Sequence, residues 1–152
     1  MKVEEIMSSN VKACGRGTSL AEAVSILWKN DCGVLPVVDD EGRLIGTITD
    51  RDIAIALGTK NRLASEVTVG EVMTNHVATT APPEDVRSAL QRMGDARVRR
   101  LPVISDGMLI GMLSINDIVL RAGGGRTDLS HEDIAETLKA ICQHRATGAV
   151  AG

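Results

Sequence analysis

The sequence "LPVVDDEGRLIGTITDRD" at residues 35–52 returns at residues 101–117 as "LPVISDGMLIGMLSIND". In each copy an apolar strand leads through a turn into a second strand, which contains a glycine and a hydroxyl residue and is followed by an aspartate. The copies align at a shift of 66 positions before the turn and 65 after it, because the second turn is one residue shorter. A duplicated unit tolerates a deletion in a turn, whereas a strand cannot slip by one residue without turning its apolar side chains to solvent. The pattern therefore indicates an internal repeat.

The repeat also includes the residues that precede these strands. The segment "VEEIMSSNV" at 3–11 aligns with "VGEVMTNHV" at 69–77, and an amphipathic helix follows in each copy. Each copy is thus predicted to be β-α-β-β-α, and a unit of roughly sixty residues buries too little apolar surface to be stable alone. We therefore expect an α+β fold in which two repeats pack around a pseudo-twofold axis, followed by a C-terminal helix. The predicted boundaries are 1–60 for the first repeat, 61–67 for a linker, 68–123 for the second repeat, and 124–152 for a flexible joint, the C-terminal helix and a tail.

The composition is that of an ordinary folded chain, with 43% hydrophobic residues, 24% charged residues and a formal net charge of -3. This mildly acidic balance gives no general attraction for nucleic acid or for an anionic membrane surface. No apolar run approaches the roughly 18 residues of a membrane-spanning helix, and acidic residues stand near Met1 where a signal peptide would be apolar. We therefore expect a cytoplasmic protein that binds neither nucleic acid nor membranes.

The sequence contains no motif that points to catalysis or to a metal. Its three histidines and three cysteines lack the spacing of a metal site, and no nucleophile stands in a known arrangement with a base. We therefore expect neither an enzyme, nor a metal site, nor a cofactor. The chain has no Phe or Tyr and a single Trp28, so a planar ligand would be held between aliphatic side chains and backbone.

The motifs "LPVV…GTITDRD" and "LPVI…GMLSIND" match a known family in both halves, in order and in spacing. Over about residues 3–122, the chain resembles a tandem pair of cystathionine-β-synthase (CBS) domains. The resemblance implies a regulatory module that binds adenosine-containing ligands in clefts between the repeats and assembles as a flat homodimer. It also implies that the hydroxyl residue and the aspartate of each motif mark the ribose contact.

The resemblance implies that each cleft combines the motif of one repeat with the first extended segment of the other. The expected ribose contacts are Thr49, Asp52, Ser114 and Asp117. The expected phosphate contacts are Arg99, Arg100 and Lys12, whereas Arg97 is expected to be solvated. The expected walls around the base are Val11, Val34, Leu35, Pro36, Val77, Ala78, Leu101 and Pro102. We expect the cleft of Ser114 and Asp117 to be the better equipped one, with Arg99 and Arg100 beside Val11, Lys12 and Val34.

A second role competes for the same residues. Thr49 with Asp52, and Ser114 with Asp117, also fit a capping box that satisfies the free amides at a helix start. Capping and ribose binding would use the same oxygen atoms. The glycine of each motif, Gly46 or Gly111, would let either backbone or ligand come close.

The C-terminal helix is predicted to carry an apolar stripe that needs a partner surface. The stripe consists of Ile134, Leu138, Ile141 and Cys142. It would be covered either by its own module or by a second subunit.

The expected function is that of a stand-alone regulatory sensor for an adenine nucleotide. AMP, ADP and ATP are the primary candidates, and NAD and S-adenosylmethionine are secondary ones. The output would pass through the geometry of a homodimer or through an unidentified effector protein, because an effector needs a second state to bias. The alternative is a structural or dimer-assembly protein in which the two motifs only cap helices.

Overall fold

The structure is a computed structural model that describes residues 1–122 and 129–143. The predicted joint before the C-terminal helix and the predicted tail after it lie outside the described residues. The elements of the first repeat are α1 (Leu20–Lys29), β1 (Val34–Val38), β2 (Leu44–Thr49) and α2 (Asp50–Lys60). The elements that follow are α3 (Val69–Val72), α4 (Val86–Ala96), β3 (Arg100–Ser105), β4 (Met108–Ser114), α5 (Ile115–Arg121) and α6 (His131–Cys142). The predicted α+β fold of two repeats with a C-terminal helix is confirmed.

Each repeat contains one antiparallel strand pair, β1 with β2 and β3 with β4. The predicted leading strand is reduced to a single parallel bridge, at Cys14 beside Val37 and at Thr80 beside Val103. The Cys14 N–H donates to the Pro36 carbonyl at 3.0 Å. The ladder cannot continue toward the N-terminus, because the proline nitrogen of Pro36 has no hydrogen to donate to the leading segment.

The two repeats interlock, because the segment that leads each repeat packs into the core of the other. Val3 and Ile6 belong to the apolar core of the second repeat, and the Val3 N–H donates to the Glu84 carbonyl at 2.9 Å. In the same way Val67 and Val69 belong to the core of the first repeat. Neither core is therefore complete without residues from the other half of the chain.

The glycine of each motif lies where the backbones of the two repeats cross. Thr47 and Thr74 exchange two backbone hydrogen bonds of 3.0 and 2.9 Å. A Cβ atom on Gly46 would lie 2.6 Å from the Thr74 carbonyl oxygen, and one on Gly111 would lie 3.1 Å from the Ser8 carbonyl oxygen. Of the two roles left open for these glycines, the close approach of backbone is the one observed.

Helix α6 packs on its own module. Leu129 and Ile134 are buried in the core of the second repeat, and the Arg87 guanidinium lies 2.9 Å from the Asp133 carboxylate. The stripe is narrower than predicted, because Cys142 is exposed to solvent. Of the two surfaces considered for this helix, the structure shows docking within the same chain.

Candidate functional site

Two clefts lie between the repeats. The larger cleft has a volume of about 520 Å³ and contains Thr49 and Asp52 of the first repeat. The smaller cleft has a volume of about 260 Å³ and contains Ser114 and Asp117 of the second repeat. Each motif faces the other repeat: the larger cleft also contains Val77 and Ala78, and the smaller one also contains Val11 and Lys12.

Asp52 is held at the start of α2 by a complete capping box. Its Oδ2 atom accepts the Thr49 N–H at 2.9 Å, and its own N–H donates to Thr49 Oγ1 at 3.1 Å. Among the residues that the structure describes, Asp52 Oδ1 accepts no hydrogen bond. The cap therefore uses one carboxylate oxygen and leaves the other for a hydroxyl of a ligand.

Asp117 caps α5 in the same way, with one difference. Its Oδ2 atom accepts the Ser114 N–H at 2.8 Å and also the Ser114 hydroxyl at 2.6 Å. The Thr49 hydroxyl makes no such bond to Asp52 within the described part of the chain. The larger cleft thus keeps a free hydroxyl donor that the smaller cleft has already used.

The arginines gather at the larger cleft, and Arg100 also lines the smaller cleft that was predicted for it. Arg97, Arg99 and Arg100 all line the larger cleft, and of the three only Arg100 also lines the smaller one. The loop before β3 belongs to the same repeat as Val77, and both face the motif of the first repeat. The prediction assigned both Arg99 and Arg100 to the cleft of Ser114, and this is wrong for Arg99, which does not line that cleft. Arg97 is exposed to solvent, as expected, and it also lines the larger cleft.

The three arginines form a concentration of unpaired positive charge. Within residues 1–122 and 129–143, none of their guanidinium groups makes a hydrogen bond or an ion pair. Arg97 is fixed by a left-handed backbone turn, with φ of 54°. Unpaired guanidinium groups at the mouth of a cleft attract anions and suit bidentate contact with phosphate. The larger cleft, and not the cleft of Ser114 and Asp117, is therefore the better equipped one.

The residues predicted to form the walls of the base site line the clefts at alternate positions along the strands. Val34 and Pro36 line the clefts on β1, and Pro102 lines the larger cleft on β3. Leu35 and Leu101 line neither cleft, because both side chains have 0% of their surface exposed and belong to the two apolar cores. Successive side chains on a strand point to opposite faces, so these two leucines had to face inward.

Several residues of the larger cleft were not predicted from the sequence, and Met112 and Ile141 are two of them. Met112 lies opposite Pro102 in the β3–β4 register and lines both clefts. The alternation of β4 would have identified it, because Gly111 and Leu113 beside it are buried. Ile141 comes from α6, outside both repeats, and also lines the larger cleft. No sequence pattern relates Ile141 to the motifs.

Cys32 lies in the wall of the smaller cleft, near Lys12 and Arg100. Burial raises the pKa of the Cys32 thiol, and the positive charge of Arg100 opposes part of that rise. The thiol therefore stays protonated at neutral pH and acts as an apolar wall rather than as a nucleophile.

Metal-binding clusters and membrane-spanning helices are both absent from the described residues. No group of three or more His, Cys, Asp or Glu side chains is arranged to hold a metal ion there. None of the helices in that part of the chain has both the length and the apolar character needed to cross a bilayer.

Comparison with known proteins places the same residues in two matching units. The family model described as CBS domain matches residues 3–59 and 69–123. CBS domain-containing protein YhcV of Bacillus subtilis is 30% identical over 138 residues, which cover 87% of this chain and 97% of that protein.

Two solved structures with bound ligands are similar to the chain. The CBS domain pair of protein MJ0100, in complex with 5′-methylthioadenosine and S-adenosyl-L-methionine, has a TM-score of 0.74 and 31% identity, covering 83% of this chain and 98% of that one. CBSX2 in complex with AMP has a TM-score of 0.70 and 29% identity, covering 80% of this chain and 95% of that one.

Proposed function

Because this chain belongs to the CBS domain family, we propose that it is a regulatory module that binds an adenine nucleotide between its two repeats. The larger cleft is the primary site. The observation that supports this proposal best is the presence of three unpaired arginines beside a free Thr49 hydroxyl and a free Asp52 oxygen. In this arrangement the arginines bind phosphate, and the Thr49–Asp52 pair binds the ribose hydroxyls.

The dimensions and lining of the larger cleft agree with such a ligand. Its volume of about 520 Å³ lies within the range of roughly 300–1,000 Å³ that is usual for small-molecule pockets. Val34, Val77 and Pro102 supply flat apolar surfaces for a purine. Two similar structures carry adenosyl ligands, AMP in one and S-adenosyl-L-methionine with 5′-methylthioadenosine in the other.

The proposed role is sensing and includes no catalytic step, no resident cofactor and no metal. Ligand binding would alter the output through the geometry of a homodimer or through an effector protein, since a ligand can only shift an equilibrium between states that it binds unequally. The cytoplasmic location expected from the sequence stays a prediction.

A thermal-shift panel of AMP, ADP, ATP, NAD and S-adenosylmethionine tests the proposed function. A ligand at 100 times its dissociation constant stabilises the protein by about 2.7 kcal/mol. We expect at least one adenine nucleotide to raise the melting temperature, with a larger effect from those with more phosphate, because the cleft presents three cations. A panel with no shift would contradict the proposal.

The variant Asp52→Ala separates ligand binding from helix capping. We expect it to lose about 1 kcal/mol of stability through the cap and to lose nucleotide binding at the larger cleft, measured by calorimetry. Glu22→Ala is the matched control, because Glu22 completes the capping box of α1 and lines neither cleft. Equal nucleotide affinity in the two variants would favour the alternative, in which the motif only caps a helix.

We also propose that the module assembles as a homodimer through its exposed helices. Trp28 on α1 is 84% exposed, Ile55 on α2 is 52% exposed and Leu120 on α5 is 84% exposed. Ile55 and Leu120 occupy equivalent positions in the two repeats, so each half of the module carries exposed apolar side chains. Exposed apolar patches of this kind mark interaction surfaces.

Replacing Trp28 by glutamate is expected to convert the dimer to monomer, because a carboxylate cannot be buried without a partner. Sedimentation velocity measures the change. Leu63→Glu is the control, because Leu63 is equally apolar and 67% exposed but follows α2 rather than lying on these helices. A monomeric wild-type protein, or a Trp28→Glu variant that stays dimeric, would contradict this interface.

A further inference from the structure

We infer that helix α6 forms a third wall of the larger cleft, and that nucleotide binding there and docking of α6 on α4 stabilise each other. This coupling rests on the proposed function. It makes α6 the element whose docking responds to the bound ligand. It concerns α6 because that helix belongs to neither repeat.

The direction of α6 brings its last turn to the cleft. At the start of the helix Asp133 pairs with Arg87 at 2.9 Å. Toward its end, a Cβ atom on Gly94 would lie 3.5 Å from Ala140 Cβ and 3.8 Å from Thr137 Cγ2. The contacts advance along both helices in the same sense, so α6 runs parallel to α4, and the two helices end side by side.

The end of α4 is also the beginning of the arginine-bearing loop. Ala96, the last residue of α4, and Arg97, the residue after it, both line the larger cleft, and so does Ile141 from the last turn of α6. Ile141 is partly buried against the core of the second repeat, and its remaining surface faces the cleft. A nucleotide bound beside Arg97 would cover apolar surface of Ile141 that is available only while α6 is docked.

The docking contacts of α6 suit a helix whose position a ligand can influence. Leu129, just before the helix, and Ile134, in its first half, are anchored in the core with 8% and 6% of their surfaces exposed. The Arg87–Asp133 pair is at the surface, where ion pairs contribute little. In the second half of α6, Ile141 supplies the apolar contact with the cleft. A ligand that covers Ile141 therefore stabilises the docked position of this half by linkage.

The equivalent surface of the first repeat has no such covering helix within the described residues. Val24 and Trp28 on α1 are 42% and 84% exposed, whereas Leu90, the counterpart of Val24 on α4, is 2% exposed. The smaller cleft correspondingly contains no residue of α6. The coupling therefore belongs to the larger cleft alone.

Hydrogen exchange and calorimetry on the full chain test the inference, with AMP and ATP as separate probes. We expect either nucleotide, when bound, to slow amide exchange across 135–143 severalfold. We expect Ile141→Ala to weaken nucleotide affinity about three- to tenfold, the effect of removing part of one apolar contact. Gln143→Ala is the matched control, because Gln143 is exposed at the end of α6 and lines neither cleft, and the affinity of this variant should stay within about twofold of the wild type.

Two outcomes overturn the inference in distinguishable ways. If the nucleotides bind but leave exchange in α6 unchanged, and Ile141→Ala binds as tightly as Gln143→Ala, then α6 is no part of the site and the proposed function stands. If neither AMP nor ATP binds the wild-type chain and no compound of the panel shifts its melting temperature, the proposed function and the inference fail together.

Discussion

Replacing Arg100 by methionine is expected to weaken ATP binding at both clefts by about 10- to 100-fold, because a hydrogen bond to a charged group contributes roughly 1.5–3 kcal/mol. Arg100 is the one arginine that lines both clefts, and within the described ranges its guanidinium has no carboxylate partner. Removing it leaves no orphaned acid, so the fold should be kept. Calorimetric titration with ATP measures both sites in one experiment.

Arg51→Met is the matched control for this prediction. Arg51 lies on the exposed side of α2, and its side chain lines neither cleft. Both variants remove one positive charge, so a general electrostatic attraction would weaken ATP binding equally in the two. An Arg100→Met variant that binds ATP like the Arg51→Met variant would show that Arg100 does not contact phosphate.

Replacing Gly46 by alanine is expected to destabilise the protein by about 3 kcal/mol, the upper part of the range for overpacking in a core. The added Cβ atom would lie 2.6 Å from the Thr74 carbonyl oxygen, and backbone cannot move aside as a flexible side chain can. Relief requires separation of Thr47 from Thr74 and the loss of their two hydrogen bonds, of 3.0 and 2.9 Å. Because this contact joins the two repeats, the whole module should unfold at lower denaturant concentration.

Gly58→Ala is a control that should change the stability of the protein in the opposite direction. Gly58 lies within α2, and a Cβ atom there would meet nothing within 4 Å. Alanine in a helix is favoured over glycine by about 1 kcal/mol, so this variant should be slightly more stable than the wild type. Urea unfolding of both variants measures the difference, and equal stabilities would mean that the backbone crossing at Gly46 is not as close as the structure has it.

The repeated architecture could be predicted because it depends on patterns that neighbouring residues set. Capping boxes form at Ser19, Thr68 and Ser130 as well as at the two motifs, since each needs only a hydroxyl and an acid three residues apart at a helix start. The leading strands were predicted less well. Whether Cys14 extends a ladder depends on what the facing strand can donate, and Pro36 has no N–H on that side.

In the clefts, too, some features follow from local sequence patterns and others depend on tertiary packing. The sequence by itself determined the two motifs and their helix caps. It also determined which polar residues stand at the ends of β2 and β4. All of these follow from the spacing of residues along one segment of the chain. Strand alternation, applied strictly, would also have excluded Leu35 and Leu101 from the walls. These features are fixed by backbone geometry within a few residues.

The tertiary structure alone decided which charges meet which motif. Arg99 lines the cleft of Asp52 and not the cleft of Ser114, and Ile141 comes from a helix beyond both repeats. These positions result from the interlocked packing of the two cores and from the direction of α6 along α4. Such packing brings together residues that are far apart in sequence, and no local pattern records the distance between them.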